Sequence, residues 1–325
     1  MMRTSSTGDR YKKLAVLGAG SFGKVYKVQG KEDGETYVLK RIALVTKDDL
    51  DSARLAAFKE VEVLRELHHP HVVRIMEHFW DEEEQDLCVV MTYCEGGDMY
   101  DMIQKQWQAG HMVEETAVWS YLVQLLSALC YLHHELNTIH RDLKTQNIFL
   151  TKRNGSSHAM IGDFGLAKTL EHTVAMANTQ LGTPFYMAPE IMQGQEYNHK
   201  SDMWALGCIA YELCAGEAPF SGSTFQEVSD RVQFGTYDPI PPCYSHELRA
   251  VIHQLLKKQS HERPSARELL FSEPFADQCA RCERHAEASS HIGSTGSHRS
   301  VRVREPSRSH HTRQVTRRRV GQLAG

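Results

Sequence analysis

Any fold for this chain has to present the octapeptide His140-Arg141-Asp142-Leu143-Lys144-Thr145-Gln146-Asn147 together with Asp163-Phe164-Gly165, which begins sixteen residues after Asn147. The two segments set a candidate base, a cation and two candidate metal ligands close together in the chain. Asp142 would accept the proton of a substrate hydroxyl. Lys144, two residues on, would face a transferring phosphate and offset its charge. Asn147 and Asp163 would hold Mg²⁺, a hard cation that takes oxygen ligands and keeps several waters. Phosphoryl transfer is mostly positioning and charge neutralisation, so these residues suit a hydroxyl nucleophile, a phosphate and magnesium in one place.

The 325 residues are 41% hydrophobic, enough for one large bilobal domain or two ordinary ones. The polar stretch Met1–Thr7 lacks the apolar core of a signal peptide. The most apolar stretch, Met203–Leu213, falls short of the ~18 residues of a membrane span and includes Glu212. The expectation is a soluble, intracellular protein. Its eight cysteines are scattered, mostly within apolar segments, and read as buried thiols in a reducing compartment. Cys279-Ala280-Arg281-Cys282 is a lone pair of cysteines and is not read as a metal site.

Charge is distributed unevenly. From Ala276 onward there are ten Arg, no Lys and four acids, a net +6, so the preceding residues carry −10 of a total of −4. This tail, 276–325, is rich in Ser and His and poor in large apolar side chains. It cannot bury enough surface to offset its ordering entropy and reads as a disordered, solvated terminus. The alternative is a docking arm for an acidic or cytoskeletal partner, or a segment bearing phosphorylation sites. Without interleaved aromatics, nucleic acid is not the expected partner.

Periodicity divides the rest. Tyr11–Gly18, Lys24–Val28 and Glu35–Ile42 read as strands. Asp49–Leu67 reads as a helix, with Leu55, Phe58, Val61, Leu64 and Leu67 three apart, stopped at His69-Pro70. Val72–Phe79 and Leu87–Tyr93 are further strands. Glu95-Gly96-Gly97-Asp98 breaks the pattern as a linker between lobes. Beyond it Asp98–Lys105, Glu114–Leu136, Ser201–Cys214, Thr224–Phe234, Ser245–Leu256 and Ser265–Leu270 show helical spacing. A small β-rich lobe followed by a larger helical lobe, an α+β architecture, is expected, with a ligand cleft between them. The boundaries are an extension over 1–10, a domain over 11–275 and the tail, with the small lobe over 11–93, the linker at 92–97 and the large lobe over 98–275.

Gly18-Ala19-Gly20-Ser21-Phe22-Gly23 is a glycine-rich loop whose backbone N–H groups can approach phosphate oxygens. It runs into the alternating Val25-Tyr26-Lys27-Val28, a strand and not a helix, which argues against a dinucleotide site. Lys40 closes a β-rich run and would point into the cleft toward phosphates. An ammonium there needs a carboxylate partner. Glu60, Glu62 and Glu66 on the following helix are all within the reach of that argument.

Across roughly residues 10–275 the chain resembles the eukaryotic protein kinases. The resemblance rests on the segments above and on Thr183, Ala188-Pro189-Glu190, Ser201-Asp202-Met203-Trp204-Ala205-Leu206-Gly207 and Glu262-Arg263-Pro264. It implies a bilobal kinase fold, with ATP and Mg²⁺ as cofactors and proteins with Ser or Thr acceptors as substrates. It selects Glu60 as the partner of Lys40. It makes Asp202 the anchor of the backbone around Asp142, and pairs Arg263 with Glu190. Met91 takes the position at the back of the cleft, Thr92-Tyr93-Cys94 lines adenine, and Val25 and Val38 above with Phe149 below enclose it.

The wording is similar to that of the NIMA-related (Nek) serine/threonine kinases at Tyr93-Cys94-Glu95-Gly96-Gly97-Asp98, His140–Leu150, Tyr197–Cys208 and Tyr244–Arg249. That likeness implies roles in cell-cycle, centrosomal, ciliary or cytoskeletal regulation. It also implies a cytoplasmic site associated with cytoskeleton, basal body or nucleus, with no membrane. The tail shows no heptads, so the coiled-coil dimerisation of several relatives is not expected. Lys144 and Thr183 favour serine/threonine over tyrosine. Thr179 is the expected site of an activating phosphate, with a buried Arg141 and Lys168 as its receivers, and Thr173 is a weaker alternative. A pseudokinase scaffold is the rival, disfavoured because Lys40, Glu60, Asp142, Asn147 and Asp163 are all present. A dual-specificity enzyme and a small-molecule kinase are weaker alternatives; Thr183 and Ala188-Pro189-Glu190, which shape a peptide groove, oppose the second.

Overall fold

The alternating apolar runs at the start of the chain assemble into one antiparallel sheet. In a computed structural model that describes residues 7–20, 23–43, 50–153, 155–163 and 184–278, five strands form it: β1 (Tyr11–Gly20), β2 (Gly23–Gly30), β3 (Thr36–Ala43), β4 (Ile75–Asp81) and β5 (Asp86–Thr92). Their order is β1-β2-β3-β5-β4. Strand β5, paired on one side with β3 and on the other with β4, carries the unbroken apolar run Leu87-Cys88-Val89-Val90 because both of its faces are buried. On one face helix α2 (Leu50–Arg65) packs Ala57 and Val61 against Ile42, Ile75, Trp80, Leu87 and Val89. On the other, Val28, Leu39, Phe79, Cys88 and Val90 are covered by Tyr11, Tyr26 and Tyr37. Gly23 is required where the β1–β2 hairpin meets β3. Its φ is +134°, and a Cβ there would stand 1.8 Å from the Arg41 carbonyl oxygen.

Two expectations for this lobe change. The last four residues of the expected extension are part of the lobe: Thr7–Arg10 forms a short helical turn, α1, with Thr7 buried, while residues 1–6 lie outside the described residues. The strand expected from Val72 begins at Ile75. The β-branched Val72 and Val73 pair across the lobe boundary instead, where Val73 N–H donates to Ile161 O (2.8 Å) and Ile161 N–H to His71 O (2.8 Å).

Helices α3 (Met99–Gln108), α4 (Glu115–Cys130), α5 (Pro189–Met192), α6 (His199–Ala215), α7 (Phe225–Phe234), α8 (His246–Leu255) and α9 (Ala266–Leu270) build the larger lobe. Helix α6 is buried from Ser201 to Cys214, which is why its sequence lacks a polar stripe. The helix expected to run from Glu114 to Leu136 ends its α-helical part at Cys130. Its last turn, Tyr131–Glu135, widens into a π-helical turn closed by Leu136 N–H on Tyr131 O (3.3 Å). Sequence periodicity missed the hairpin β6 (Ile148–Arg153) and β7 (Ser156–Ile161) and the 3₁₀ turn Thr145–Asn147 before it. The signal was there: Asn154-Gly155 is a hairpin turn dipeptide between two short runs.

The six cysteines among the described residues are free thiols, with only Cys243 exposed. Cys279 and Cys282 lie outside the described residues. Among the described residues no helix is long and apolar enough to cross a membrane.

Candidate active site

The linker brings the lobes together by bonding to β6. Leu150 N–H donates to Gly97 O and Gly96 N–H to Leu150 O, both at 2.8 Å. Gly96 leaves no room for a side chain, since a Cβ would lie 2.7 Å from Leu150 O. The Glu95 carboxylate accepts Lys152 N–H (2.7 Å) and the Thr151 hydroxyl (2.9 Å). Behind this seam Met91 and Phe149 pack on Val73, Cys94 and Met160, forming an apolar floor between the lobes. Val38 pairs with Met91 and Val25 with Lys40, which places the residues expected around adenine along one side of the small lobe. Gly18, Ala19, Gly20 and Gly23 flank the hairpin turn, while Ser21 and Phe22 lie outside the described residues.

Strand alternation turns Lys40 toward this cleft. Its ammonium pairs with the Asp163 carboxylate across it, both side chains being partly exposed. This differs from the sequence expectation. The half-buried ammonium has a carboxylate partner, as its desolvation requires, but the partner is Asp163 and not Glu60. Glu60 is half-buried on α2 and has interactions of its own. Sequence spacing could not choose among carboxylates that only the fold places around one lysine. Asp163 itself has φ of 56°, a left-handed conformation uncommon outside glycine and typical of functional turns.

The second cluster is built on Asp142. Lys144 Nζ donates to Asp142 Oδ2 at 2.8 Å, and Asn147 Nδ2 donates to Asp142 Oδ2 (2.9 Å) and to its backbone oxygen (2.7 Å). With its amide hydrogens turned to Asp142, Asn147 keeps its carbonyl oxygen available as a ligand. The loop itself hangs from Asp202 in the first turn of α6, which is fully buried. Asp202 Oδ2 accepts His140 N–H (2.8 Å) and the His133 ring (2.8 Å), and Oδ1 accepts Arg141 N–H (3.1 Å). The π-helical turn is what delivers His133 there, in keeping with the frequent placement of such turns at functional sites.

His140 links the two clusters. Its Nδ1 accepts the Asp142 N–H (3.3 Å), so its proton sits on Nε2, which donates to Gly162 O (3.0 Å). Burial holds its pKa below the ordinary value, against the pull of Asp202, so the ring stays neutral. One neutral imidazole thereby fixes the residue before Asp163 relative to Asp142.

Arg141 departs from expectation. It is exposed, with φ of 69°, and so is not a buried cation waiting for an anion. Its backbone is what the loop uses, through the bond to Asp202. Lys168, Thr173, Thr179 and Thr183 lie outside the described residues.

Asp163 and Asn147 together offer a carboxylate and an amide carbonyl, the hard oxygen ligands magnesium takes. Among the described residues no cluster of three or more His, Cys, Asp or Glu could hold a metal. Two protein ligands suit an ion held partly by phosphates and water.

Below the loop, a buried chain ties it to the segment before α5. Tyr186 donates to Glu212 Oε2 at 2.5 Å, so the Thr145 hydroxyl, 2.8 Å from the Tyr186 oxygen, donates to it. Burial pushes the Glu212 carboxyl up to about 7, although the hydrogen bond from Tyr186 pulls the other way. The ordinary value is 4.5. The folded state therefore holds a proton that the unfolded chain has lost between those values. The stability this group contributes is full below pH 4.5 and is lost as pH rises through about 7. At ~1.4 kcal/mol per pH unit the loss is about 3 kcal/mol. Between pH 5 and pH 8 the melting temperature of the wild type should fall more than that of Glu212→Gln; equal falls would contradict this.

Glu190, at the start of α5, and Arg263 form a buried ion pair. Arg263 Nη1 and Nη2 donate to the two Glu190 oxygens at 2.8 and 2.7 Å. The remaining N–H groups go to the backbone oxygens of Lys257, Lys200 and Lys258. Ser201 Oγ donates to Glu190 at 2.9 Å. Burial raises the Glu190 carboxyl, but the bonds and charge of Arg263 outweigh it and hold the carboxyl below its usual range.

The protein kinase domain family profile matches residues 11–275. The chain is 40% identical over 262 residues to serine/threonine-protein kinase Nek1 of Mus musculus, covering 81% of this chain and 21% of that protein. It is 37% identical over 279 residues to Nek2 of Homo sapiens, covering 85% of this chain and 62% of that protein. Against Nek4 of Mus musculus it is 40% identical over 257 residues, covering 79% and 31%. The chain thus spans between about a fifth and three fifths of the length of these relatives. The chain belongs to the protein kinase family, and its kinase domain is of the NIMA-related serine/threonine type.

Proposed function

We propose that the protein is an ATP-dependent protein serine/threonine kinase, transferring the γ-phosphoryl group of ATP to hydroxyls of protein substrates. The observation that carries this is the convergence of Lys40 on Asp163 from one lobe and of Lys144 and Asn147 on Asp142 in the other. Asp142 accepts the proton of the acceptor hydroxyl as its oxygen bonds to phosphorus, and the bond to the ADP oxygen breaks. Lys144 offsets charge on the group in transit. Lys40 holds the α- and β-phosphates under the glycine-rich loop, and the Asp163 carboxylate that it meets across the cleft supports its position. Asn147 and Asp163 would hold Mg²⁺, which when bound neutralises phosphate charge. Val25, Val38, Met91, Thr92, Tyr93, Cys94 and Phe149 enclose the adenine. A pseudokinase is disfavoured because every one of these groups is present. A role in cytoplasmic, cytoskeletal or cell-cycle regulation rests on resemblance to the Nek kinases.

The peptide side is a cleft of about 350 Å³ beside the catalytic loop, with Gln146, Tyr100, Phe185, Glu212, Glu217 and Ala218 in its wall. The neutral amide of Gln146 cannot make the charge-assisted bidentate pair that selects arginine. Glu212 is the buried carboxylate nearby, and the Tyr186 hydroxyl already occupies it. Tyr100, Phe185 and Ala218 offer apolar surface instead. On a peptide array with Mg·ATP, Ser and Thr peptides should be labelled and Tyr peptides not. Selection for upstream Arg should be weak, with an apolar residue preferred three before the acceptor. An absolute requirement for upstream Arg would contradict the specificity, and silence on every Ser and Thr peptide would contradict the activity.

A further inference from the structure

Lys40 and Arg41 are neighbours on β3 and so point to opposite faces of the sheet. Lys40 enters the cleft. Arg41 enters a buried polar cluster on the far face, with 5% of its side chain exposed. Its Nε donates to Asp86 Oδ2 at 3.2 Å and its Nη1 stands 3.4 Å from Glu84 Oε1. Its Nη2 lies 3.5 Å from Asp81 Oδ2 and makes no hydrogen bond. The Asp81 oxygen it faces is taken by the N-terminal segment: Thr7 N–H donates to it at 3.3 Å and the Thr7 hydroxyl at 2.5 Å. The other Asp81 oxygen accepts the N–H groups of Glu83 and Glu84. Thr7 Oγ1 also sits 3.6 Å from the Cys88 sulfur, in the middle of the sheet.

Thr7 thus competes with Arg41 for one carboxylate oxygen. Both are nine-tenths or more buried, and so is Asp81. A buried carboxylate oxygen that loses the Thr7 hydroxyl takes the nearest further donor, and here that is Arg41 Nη2. Closing the gap of 3.5 Å would draw the Arg41 guanidinium toward Asp81 and put that pull on the Arg41 backbone. That backbone is doubly committed. Its carbonyl oxygen lies where Gly23 of the glycine-rich hairpin leaves room for it, and its amide follows Lys40 directly. The segment is clamped by further contacts: Arg10 pairs with Glu77 at 2.7 Å, and Lys31 N–H donates to Arg10 O at 3.0 Å.

We propose that Thr7 is a positioning residue for nucleotide binding, and that its hydroxyl on Asp81 keeps Arg41, and through it Lys40 and the glycine-rich hairpin, in register. The inference rests on the reading of the cleft as an ATP site, and calorimetric binding of Mg·ATP to the wild-type chain tests that reading separately. Given binding, Thr7→Val, which keeps the shape and removes the hydroxyl, should raise the KM for ATP about three- to ten-fold while the peptide KM changes less than about two-fold. Thr7→Ser, which keeps the hydroxyl, should restore the wild-type value. A Thr7→Val protein with a lower melting temperature and an unchanged ATP KM would make Thr7 merely structural and overturn the proposal. So would equal increases in the ATP and peptide KM, or a Thr7→Ser variant as impaired as Thr7→Val. The wild-type chain offers a test that needs no variant, because coupling is reciprocal. Saturating Mg·ATP should increase amide hydrogen-exchange protection over residues 7–10, and unchanged protection there would overturn the proposal.

Discussion

Asp142→Asn should lower kcat by about 10²- to 10⁴-fold, the range for removing a positioned general base, while ATP affinity stays near that of the wild type. The substitution preserves shape, and the carboxylate is partly exposed, so the fold should survive. What changes is chemical. An amide cannot accept the hydroxyl proton, and it loses the charge that holds Lys144 at 2.8 Å. Asn147 would also lose a charged acceptor for its amide. In the proposed function the nucleotide phosphates are held mainly around Lys40 and Asp163, so binding should be largely spared. Steady-state kinetics and calorimetry on the purified variant check this. A kcat within about three-fold of wild type would remove Asp142 from its role.

Arg263→Ala should destabilise the chain by about 3–5 kcal/mol, the cost of stranding one half of a buried pair. Folded domains hold only about 5–15 kcal/mol in total, so this variant should sit close to unfolding. Arg263 is 1% exposed, and all five of its N–H groups are used: two on Glu190 and three on backbone oxygens. Alanine leaves the Glu190 carboxylate buried with Ser201 as its remaining side-chain donor. Arg263→Lys should recover only part of the loss, because an ammonium lacks the planar fork that engages both carboxylate oxygens. Denaturant titration would measure both. A loss below about 1 kcal/mol for alanine, the value of a surface pair, would contradict the reading.

Which parts of the molecule the sequence made legible follows from how local their signals are. Strands β1, β2 and β3 and the helices of the large lobe other than the four-residue α5 announce themselves by period. Helix α6 does so by being apolar all round, since it is buried along nearly its whole length. The β6–β7 hairpin gives only a weak periodic signal because its strands are six residues each and follow directly on the polar catalytic loop. Chain-distant relations were the hard part. Lys40 needed a carboxylate, yet nothing local distinguishes Asp163, 123 residues away, from Glu60 on the adjoining helix. Arg141 reads as buried beside a catalytic aspartate. A left-handed backbone at that position leaves its side chain exposed. Thr7 looks like one more polar residue of a polar terminus, and only the fold puts it against Asp81.

The most direct measurement is of the product. The wild-type chain, incubated with Mg·ATP and an acceptor protein, should yield phosphoserine or phosphothreonine by mass spectrometry. Asp163→Ala, which removes the carboxylate that meets Lys40 and would ligate the metal, should yield about 10²-fold less or lower still. No phosphorylated product from the folded wild type, or equal product from Asp163→Ala, would contradict phosphoryl transfer in this cleft.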